Sequence, residues 1–291
     1  MPRAVVDAAE ALIDQEIPVL DKGFVRLVDY MGSDQRIVQA ARVSYGAGTK
    51  SYRQDRGLIH YLMRNWHTSP FEQVVLTFHT KMPIFVARQW VRHRTARLNE
   101  ISGRYSVMKD EFYVPSPEHI RPQSLDNKQG RSEDRFDAST EQEIIRLFQE
   151  EQAQVYGNYQ RLLDLNLARE LARNNLPLSL YTEWYWQIDL HNLFHFLRLR
   201  MDAHAQYEIR AYAEAMATCA KAVAPMAYEA FEEHILGAVT FSKAELEALA
   251  TMLAGGQPTL DGRAAKLFDE KLAKLRSAQA TEAPDEPQLN S

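Results

Sequence analysis

The spacing of apolar residues predicts strands early in the chain and helices later. Residues 24–30 and 73–82 alternate apolar and polar side chains, as half-buried strands do, and residues 106–114 predict a third strand. The segments between the first two strands predict helices over about 34–46 and 53–66. This order predicts an α+β fold with an antiparallel sheet flanked by helices, in place of a doubly wound parallel sheet.

The second half of the chain is predicted to be almost entirely helical. A helix is expected to begin after Pro83 and to run to Leu98, because proline suits the first turn of a helix. Residues 121–141 are polar and rich in turn formers, which predicts an exposed loop. Residues 142–238 carry a helical pattern, with breaks near Asn174, Pro177 and Pro225.

Three segments are predicted along the chain. Residues 1–240 are expected to form a single domain, followed by a helical C-terminal extension over 241–276. Ser242 and Glu245 have the spacing of a capping box at the start of that extension. Residues 277–291 are polar and without period, which predicts a disordered tail.

Composition excludes several classes of protein. The chain has 291 residues, of which 45% are hydrophobic and 25% charged, as in ordinary soluble globular proteins. We expect no membrane partner, because no apolar run approaches the ~18 residues of a bilayer span. We also expect no secretory signal, because acidic residues interrupt the apolar part of the N-terminus. The single cysteine, Cys219, allows no intrachain disulfide and fits a cytoplasmic protein. The net charge of −5 argues against general nucleic-acid binding.

One segment has the opposite charge balance. Five arginines between positions 88 and 104 face a single carboxylate, Glu100, which gives a local charge of 5 − 1 = +4. If the segment is helical, Gln89, Arg92 and His93 lie on one side and Arg94 and Arg97 on another. Guanidinium groups pair with phosphates and carboxylates, so two anionic partners on two faces would explain this pattern. The arginines in this set are Arg88, Arg92, Arg94, Arg97 and Arg104.

The same pattern also fits a solvated basic helix that pairs with acidic neighbours, since charge runs are usually exposed. Three observations favour the binding interpretation. Apolar Trp90, Val91 and Leu98 interleave the arginines, which indicates a half-buried segment. The stretch NEISGR at 99–104 supplies varied hydrogen-bonding groups, and Gly103 lets backbone approach a ligand closely. Buried arginines also need fixed partners.

These residues carry a family resemblance. The spacing RHR, seven residues, Ser, from Arg92 to Ser102, resembles the signature of flavin-dependent thymidylate synthases, the ThyX type. Four further blocks resemble that family, in the same order, and the resemblance extends over about residues 19–235. The blocks are HTSPFE at 67–72, PIFVARQWVRHR at 83–94, LPLSLYTEWYW at 176–186 and FLRLRMDAHAQYEIR at 196–210.

The resemblance implies an activity and a nucleotide site. The family methylates dUMP to dTMP, taking the one-carbon unit from 5,10-methylenetetrahydrofolate and reducing equivalents from NADPH through FAD, within de novo dTMP biosynthesis. Arg200 would be the catalytic residue, stabilising negative charge on the uracil ring. The dUMP-binding residues implied are Gln89, Trp90, Val91, Arg92, Glu100, Ile101, Ser102, Gly103, Arg104, Arg173 and Arg200.

The resemblance also implies a flavin site and an assembly. The sequence has no GxGxxG fingerprint, so FAD would not be held as in a Rossmann fold. The family builds its sites between subunits of a homotetramer, which we expect here too. The implied FAD-binding residues are Ser44, Ser69, Glu72, Arg92, His93, Arg94, Asn99, Glu100, Asp189, Leu190, His191 and His195.

Two alternatives use the same residues differently. His191 and His195 have the i, i+4 spacing of a zinc site, and with Asp202 they could serve a metal-dependent nucleotide hydrolase. We expect no metal there, because the glutamate of an HExxH motif is absent: Asn192 follows His191. The second alternative is a non-catalytic nucleotide- or RNA-binding module that uses the Arg88–Arg104 segment.

Neither candidate nucleophile fits the chemistry well. Cys219 lies in a helical run of small and apolar residues, which predicts a packing cysteine and argues against a thiolate mechanism. Ser102 has no histidine near it in sequence, although folding could bring His67 close, and its hydroxyl is better suited to binding a nucleotide.

Overall fold

One antiparallel sheet organises the larger part of this computed structural model, which describes residues 5–43, 52–125 and 130–280. Its strands follow the spatial order β1-β2-β3-β5-β4, and each neighbouring pair is antiparallel. The prediction of an α+β fold with an antiparallel sheet is therefore confirmed. The strands are β1, Glu16–Val19; β2, Gly23–Met31; β3, Val75–Pro83; β4, Arg97–Glu100; and β5, Tyr181–Asp189.

Helices cover this sheet and form the C-terminal end of the described chain. The break predicted at Pro225 is confirmed, because α8 ends at Val223 and Pro225 begins the next helix. The helices are α1, Asp7–Glu10; α2, Asp34–Ala41; α3, Tyr52–Arg64; α4, Ile84–Trp90; α5, Ala138–Asp164; α6, Arg169–Ala172; α7, Leu190–Arg200; α8, Tyr207–Val223; α9, Pro225–Phe231; α10, Lys243–Leu253; and α11, Gly262–Ala280. A π-helical turn, Glu232–Leu236, follows α9 directly.

Strand β5 contradicts the prediction of an almost wholly helical stretch over 142–238. Its sequence YTEWYWQID is rich in aromatic residues and has a period of two. Thr182, Trp184, Trp186 and Ile188 are buried, whereas Tyr185 between them is exposed. The strand pairs with β3 along its whole length and with β4 on its other edge, so it is an interior strand of the sheet.

Two further predictions are wrong because contacts with distant parts of the chain override the local sequence pattern. The helix expected to reach Leu98 ends at Trp90, and residues 97–100 pair with β5 as an edge strand. The strand expected over 106–114 is absent from the described structure, where this stretch has one isolated bridge, Phe112 to Leu180. Side chains of α5 take the place of a partner strand: the Met108 N–H donates to the Tyr159 hydroxyl, and the Tyr156 hydroxyl donates to the Met108 carbonyl, each at 3.0 Å.

The core lies between the sheet and helices α7, α8 and α9. Trp90 of α4 is fully buried at its centre, and it makes edge-to-face contacts with Trp184 and Trp186 at centroid distances of 5.4 Å. Phe196 of α7 packs against the same ring. Burial of large aromatic side chains contributes about 2–3 kcal/mol each, and this cluster fixes the position of α4 and α7 against the sheet.

The polar segment 115–137 is fastened to α8 by a buried ion pair. Arg131 donates to Glu208, whose side chain is 1% exposed and which also accepts from the Tyr113 hydroxyl at 3.0 Å. The predicted loop over 121–141 is four residues too long, because α5 begins at Ala138, where the Asp137 carboxylate caps it. Residues 126–129 lie outside the described chain.

The chain divides into two compact units, of which the first ends at Leu236 and the second begins at Gly237. The second unit is the pair α10 and α11, packed through Ala248, Phe268 and Leu272. The predicted capping box at Ser242 and Glu245 is confirmed. Helix α11 continues to Ala280, four residues into the predicted tail, and residues 281–291 lie outside the described chain. None of the described helices is both long and apolar enough to cross a membrane.

Candidate active site

The arginine-rich segment follows α4 and leads into the edge strand β4. Residues 91–96 between them form a turn, so the expected distribution of Arg92, Arg94 and Arg97 over two faces of one helix is wrong. The side chains of Arg88, Arg92, Arg94 and Arg97 are all exposed. The cationic side chains of this turn are therefore exposed to solvent next to the edge strand β4, while Trp90 before them is buried in the aromatic core.

Most of these arginines have no carboxylate partner of their own. In the described part of the chain, no acidic side chain makes an ion pair with Arg88, Arg92, Arg94 or Arg97, and Arg104 alone of the five has one, with Glu170 at 3.1 Å. A solvated basic helix with acidic neighbours would show such pairs. The segment thus presents uncompensated positive charge, as a binding surface for anions does.

Arg200, at the end of α7, reaches this segment from the helical half of the chain. Its Nε donates to His93 Nε2 at 3.0 Å, and its Nη2 donates to the Gln89 carbonyl at 3.2 Å. Burial, and to a lesser extent the neighbouring Arg200 and His195, together lower the pKa of His93 to about 4. His93 is therefore neutral at pH 7 and can accept the arginine's hydrogen bond.

His93 also packs against His195, with ring centroids 5.8 Å apart. Sequence spacing on α7 predicts that His195 and Arg200 face different cavities, whereas both contact the same histidine. Gln89, whose carbonyl accepts from Arg200, also donates from its side-chain Nε2 to Gln206 Oε1. Gln206 is a residue that the sequence analysis missed; its place two residues before Glu208 in the block DAHAQYEIR was the available signal.

A second group of predicted nucleotide residues forms around Gly103. A Cβ atom at Gly103 would lie 3.0 Å from Arg173 Cδ and 3.0 Å from Met108 Sδ, so the backbone here packs directly on the Arg173 side chain. The Arg104 N–H donates to Ser102 Oγ at 3.3 Å. The absence of a side chain at Gly103 therefore sets the position of Arg173.

Edge strand β4 and the residue after it position Asn99, Glu100 and Ile101, which lie in sequence between the group around Arg200 and His93 and the group around Gly103. The Thr182 hydroxyl donates to Glu100 Oε1 at 2.6 Å, and the Ile101 N–H donates to the Glu183 carbonyl at 2.9 Å. Asn99 is exposed opposite Tyr185 in the strand register. The side chain of Ile101 is 39% exposed, which leaves an apolar surface beside the arginines.

A cleft lined by histidines lies between α3, α7 and α9. Its walls are apolar, and three imidazoles and one guanidinium line it. His191 and His195 were predicted as flavin ligands and do line this cleft, whereas His67, Trp66 and Arg198 were missed as site residues. The block HTSPFE was the available signal for His67. The lining residues are Leu62, Met63, Trp66, His67, Thr68, Phe71, His191, Phe194, His195, Arg198, Phe231 and Ile235.

Three residues predicted to bind a ligand have side chains with a structural role. Trp90 and Leu190 are 0% exposed in the aromatic core, so their side chains are closed to a ligand. The two carboxylate oxygens of Asp189 accept from the backbone N–H and the side-chain amide of Asn192, at 2.9 and 2.8 Å, which caps the N-terminus of α7. The cap at Asp189 and the burial of Leu190 follow from the direct junction between β5 and α7.

The remaining predicted residues lie at the surface or outside the described chain. Ser69 and Glu72 are exposed next to the cleft residue Thr68, whose hydroxyl donates to Glu72 Oε1 at 3.2 Å. The side chain of Val91 is 36% exposed. Ser44 lies outside the described residues.

The residues of the alternative mechanisms are not arranged for them. Asp202 accepts from the His204 N–H and ring, each at 2.8 Å, and the described chain does not group it with His191 and His195 as a metal site. Cys219 is fully buried, and this burial raises the pKa of its thiol to about 12. A thiol with that pKa is not a nucleophile at neutral pH.

Comparison with known proteins assigns both units of the chain to one family. Residues 26–226 match the family described as thymidylate synthase complementing protein, and residues 239–278 match the thymidylate synthase ThyX C-terminal domain. The second match corrects the expectation that the region after 240 lies outside the family resemblance. The sequence is 63% identical to the flavin-dependent thymidylate synthase of Treponema denticola, over 91% of this chain and 99% of that protein.

Other relatives agree. The flavin-dependent thymidylate synthase of Treponema pallidum is 58% identical over 92% of this chain and 88% of that protein. A solved structure of the UMP/dUMP methylase PolB from Streptomyces cacaoi, bound with 5-Br dUMP, is 36% identical, with a TM-score of 0.68 over 75% of this chain and 98% of that one. The chain therefore belongs to the family of flavin-dependent thymidylate synthases.

Proposed function

We propose that this protein converts dUMP to dTMP in de novo dTMP biosynthesis, with 5,10-methylenetetrahydrofolate as one-carbon donor and NADPH as reductant through bound FAD. The observation that carries the proposal is the set of four exposed arginines without ion-pair partners in the described chain. Both dUMP and FAD carry phosphates, and arginine forks bind phosphate with paired hydrogen bonds.

In this proposal dUMP binds across the two groups of residues around Arg200 and Gly103. Arg92, Arg104 and Arg173 supply positive charge for its phosphate. The backbone at Gly103 approaches the ligand closely, with Ser102 as a hydrogen-bonding group. Further contacts come from Gln89, the backbone of Trp90 and Val91, Glu100, Ile101 and Arg200.

Arg200 is the proposed catalytic residue. Its guanidinium is anchored by His93 and the Gln89 carbonyl, and this anchoring leaves its other N–H groups to donate to the uracil edge. A preorganised donor there stabilises the negative charge that develops as the ring loses its N3 proton, which makes C5 more electron-rich. The hydrogen bond from Arg200 requires neutral His93, which the lowered pKa of His93 provides.

The histidine-lined cleft and the adjoining arginines fit a flavin. Its apolar walls suit the ring system, while His93, Arg94 and Arg92 suit the pyrophosphate. Ser69, Glu72, Asn99, Glu100, His191 and His195 complete the proposed FAD contacts. When bound, FAD supplies the redox chemistry of the reaction. No protein nucleophile is needed, in agreement with the burial of Cys219.

We further propose that the protein acts as a cytoplasmic homotetramer with sites shared between subunits. Exposed apolar side chains within and directly after the nucleotide segment support this assembly: Ile101, Tyr105 and Val107 are 39%, 79% and 50% exposed. Exposed apolar patches of this kind mark interaction surfaces. A neighbouring subunit that covers them would also close the nucleotide site to water.

Spectroscopy and product release test the function. The purified protein should be yellow, its flavin absorbance should be bleached by NADPH, and it should release tritium from dUMP labelled at C5 when methylenetetrahydrofolate is present. A colourless protein that gains no activity when FAD is added would contradict the proposal. The alternative of an RNA-binding module predicts RNA affinity that falls steeply with salt, which the enzyme should not show.

A further inference from the structure

A cluster of three metal-ligand side chains lies outside the proposed active site. His60 comes from α3, and Glu233 and His234 come from the π-helical turn that follows α9. His60 Nδ1 lies 3.1 Å from His234 Nε2 and 3.7 Å from Glu233 Oε2. One donor atom from each of the three side chains lies within 4.8 Å of the other two.

We propose that His60, Glu233 and His234 form a binding site for a divalent transition-metal ion of the zinc class. Zinc bonds to histidine nitrogen and carboxylate oxygen are about 2.0–2.2 Å long, so donor atoms of a tetrahedral site lie about 3.3 Å apart. The two distances from His60 Nδ1 lie on either side of that value. Two imidazoles and one carboxylate are a known zinc donor set that leaves a fourth position for water.

The surroundings of His60 support a metal on Nδ1. A metal-bound imidazole typically directs its other ring N–H to a carboxylate, which fixes the tautomer and the ring orientation. The second ring nitrogen, Nε2, is buried without a hydrogen-bond partner in the described chain and lies 3.8 Å from Glu229 Oε2. Glu229 is itself held by an ion pair with Arg56. Glu229 is therefore positioned as an outer carboxylate that a shift of less than about 1 Å would bring within hydrogen-bond distance of His60 Nε2.

The backbone that presents two of the ligands is unusual. Residues Glu232–Leu236 form a π turn, a rare arrangement that occurs often at functional sites. It allows Glu233 and His234, which are neighbours in sequence, both to approach His60. A hydrogen bond between two neutral imidazoles would explain the 3.1 Å distance alone, but it would need neither the third donor nor the carboxylate behind His60.

A metal here would join two walls of the histidine-lined cleft. Leu62 and Met63, which line the cleft, follow His60 on α3, while Phe231 and Ile235 flank the other two ligands. His60 precedes Glu233 and His234 by 173 and 174 residues, so the ion would cross-link distant parts of the chain in the folded state. We expect the ion to be structural and to hold the cleft open at a fixed width.

Zinc titration of the flavin-loaded protein tests this site. After treatment with a chelator and its removal, calorimetry should give one Zn²⁺ per chain with micromolar or tighter affinity. The melting temperature should rise by about 5–10 °C at a zinc concentration one hundred times the dissociation constant. Absence of saturable binding in the wild-type protein would overturn the proposal, whatever its thymidylate synthase activity.

Substitutions of two proposed ligands and of one neighbouring non-ligand residue test whether zinc binds at this site. Glu233→Gln and His234→Ala should each weaken zinc binding at least tenfold and reduce the rise in melting temperature, at the same zinc concentration, to about half or less. The Glu233 side chain is 62% exposed, so its substitution should leave the fold intact. Glu232→Gln changes the neighbouring carboxylate, which pairs with Lys221 at 3.8 Å, and should bind zinc like the wild type. Equal affinity in all three variants would place any zinc elsewhere and refute the site.

Discussion

Arg200 and His93 are joined by a hydrogen bond of 3.0 Å, in which the arginine Nε donates to the histidine Nε2. An arginine side chain can only donate, so Nε2 of His93 must be unprotonated and the ring neutral. Together with the Gln89 carbonyl, His93 anchors one edge of the guanidinium. This anchoring turns a residue near the end of a helix into a fixed donor.

Arg200→Ala should lower turnover far more than flavin content. Loss of one charge-assisted contact in a transition state costs about 2–4 kcal/mol, or about 30- to 1,000-fold in rate. Turnover is measured by dTMP formation and flavin content by absorbance of the purified protein. Arg200→Lys keeps the charge but loses the fork, and should recover part of the rate. Equal losses of turnover and flavin in the alanine variant would contradict a catalytic role.

The His93 ring should make stability depend on pH. Its pKa of about 4 in the folded protein lies below its ordinary value of 6.5, so between these pH values the unfolded chain binds more protons. The contribution of His93 is therefore complete above pH 6.5 and is lost as the pH falls towards 4. His93→Gln, which keeps an acceptor for Arg200, should remove about 2 kcal/mol of the pH dependence between pH 7.5 and pH 5.

Urea unfolding at pH 7.5 and at pH 5 measures the effect, as the difference between wild type and variant. His204→Gln serves as control, because its side chain is 84% exposed. A pH dependence that is the same in wild type and His93→Gln would show that this ring does not titrate as expected.

Gly103→Ala should weaken nucleotide binding without changing flavin content. A Cβ atom there would lie 3.0 Å from both Arg173 Cδ and Met108 Sδ, so Arg173 must move. We expect about a tenfold rise in KM for dUMP, equivalent to about 1.4 kcal/mol. Gly157→Ala on α5 is the matched control, since nothing lies within 4 Å of its added methyl group. An unchanged KM in Gly103→Ala would remove Arg173 from the proposed phosphate site.

Cys219→Ala should retain activity. The thiol is fully buried and its pKa is raised to about 12, so it supplies no thiolate at neutral pH. Loss of a small buried side chain should cost about 1 kcal/mol of stability. Tritium release and urea unfolding measure the two effects separately. A folded but inactive variant would reinstate a thiolate mechanism.

Arg131→Ala should destabilise the protein by about 3 kcal/mol, because it leaves the carboxylate of Glu208 buried without its cation. Denaturant unfolding gives the free energy. The double variant Arg131→Ala with Glu208→Gln should recover part of this loss, since no buried charge then remains. Arg146→Ala, which breaks exposed pairs with Glu143 and Glu150, should change stability little. Similar losses in both single variants would argue against burial as the cause.

The sequence predicted much of this fold because local patterns agree with the tertiary structure over β2, β3 and α3. It failed where tertiary pairing decides the outcome. Residues 97–100 follow a helical pattern but complete the sheet beside β5, and 106–114 resemble a strand but find side chains of α5 in place of a partner. Strand β5 is different, because the period of two in its sequence YTEWYWQID is a local pattern that does indicate a strand.

The candidate site shows the same division. Family blocks predicted roles for Arg200, His191 and His195, which stay predictions, and they included Trp90 and Leu190 without revealing that both side chains lie in the core. His60 and His234 are 174 positions apart in sequence, and no sequence motif predicts that they are in contact. Long-range convergence of this kind becomes visible only when the chain is folded.

The junction between β5 and α7 has a consequence for how this protein can vary. Asp189 is at once the last residue of the strand and the cap of the helix, with no loop between them. One residue inserted there would rotate the whole helix by about 100° and carry Arg200 away from His93. At this corner, the number of residues between the strand and the helix therefore sets the position of Arg200 relative to His93.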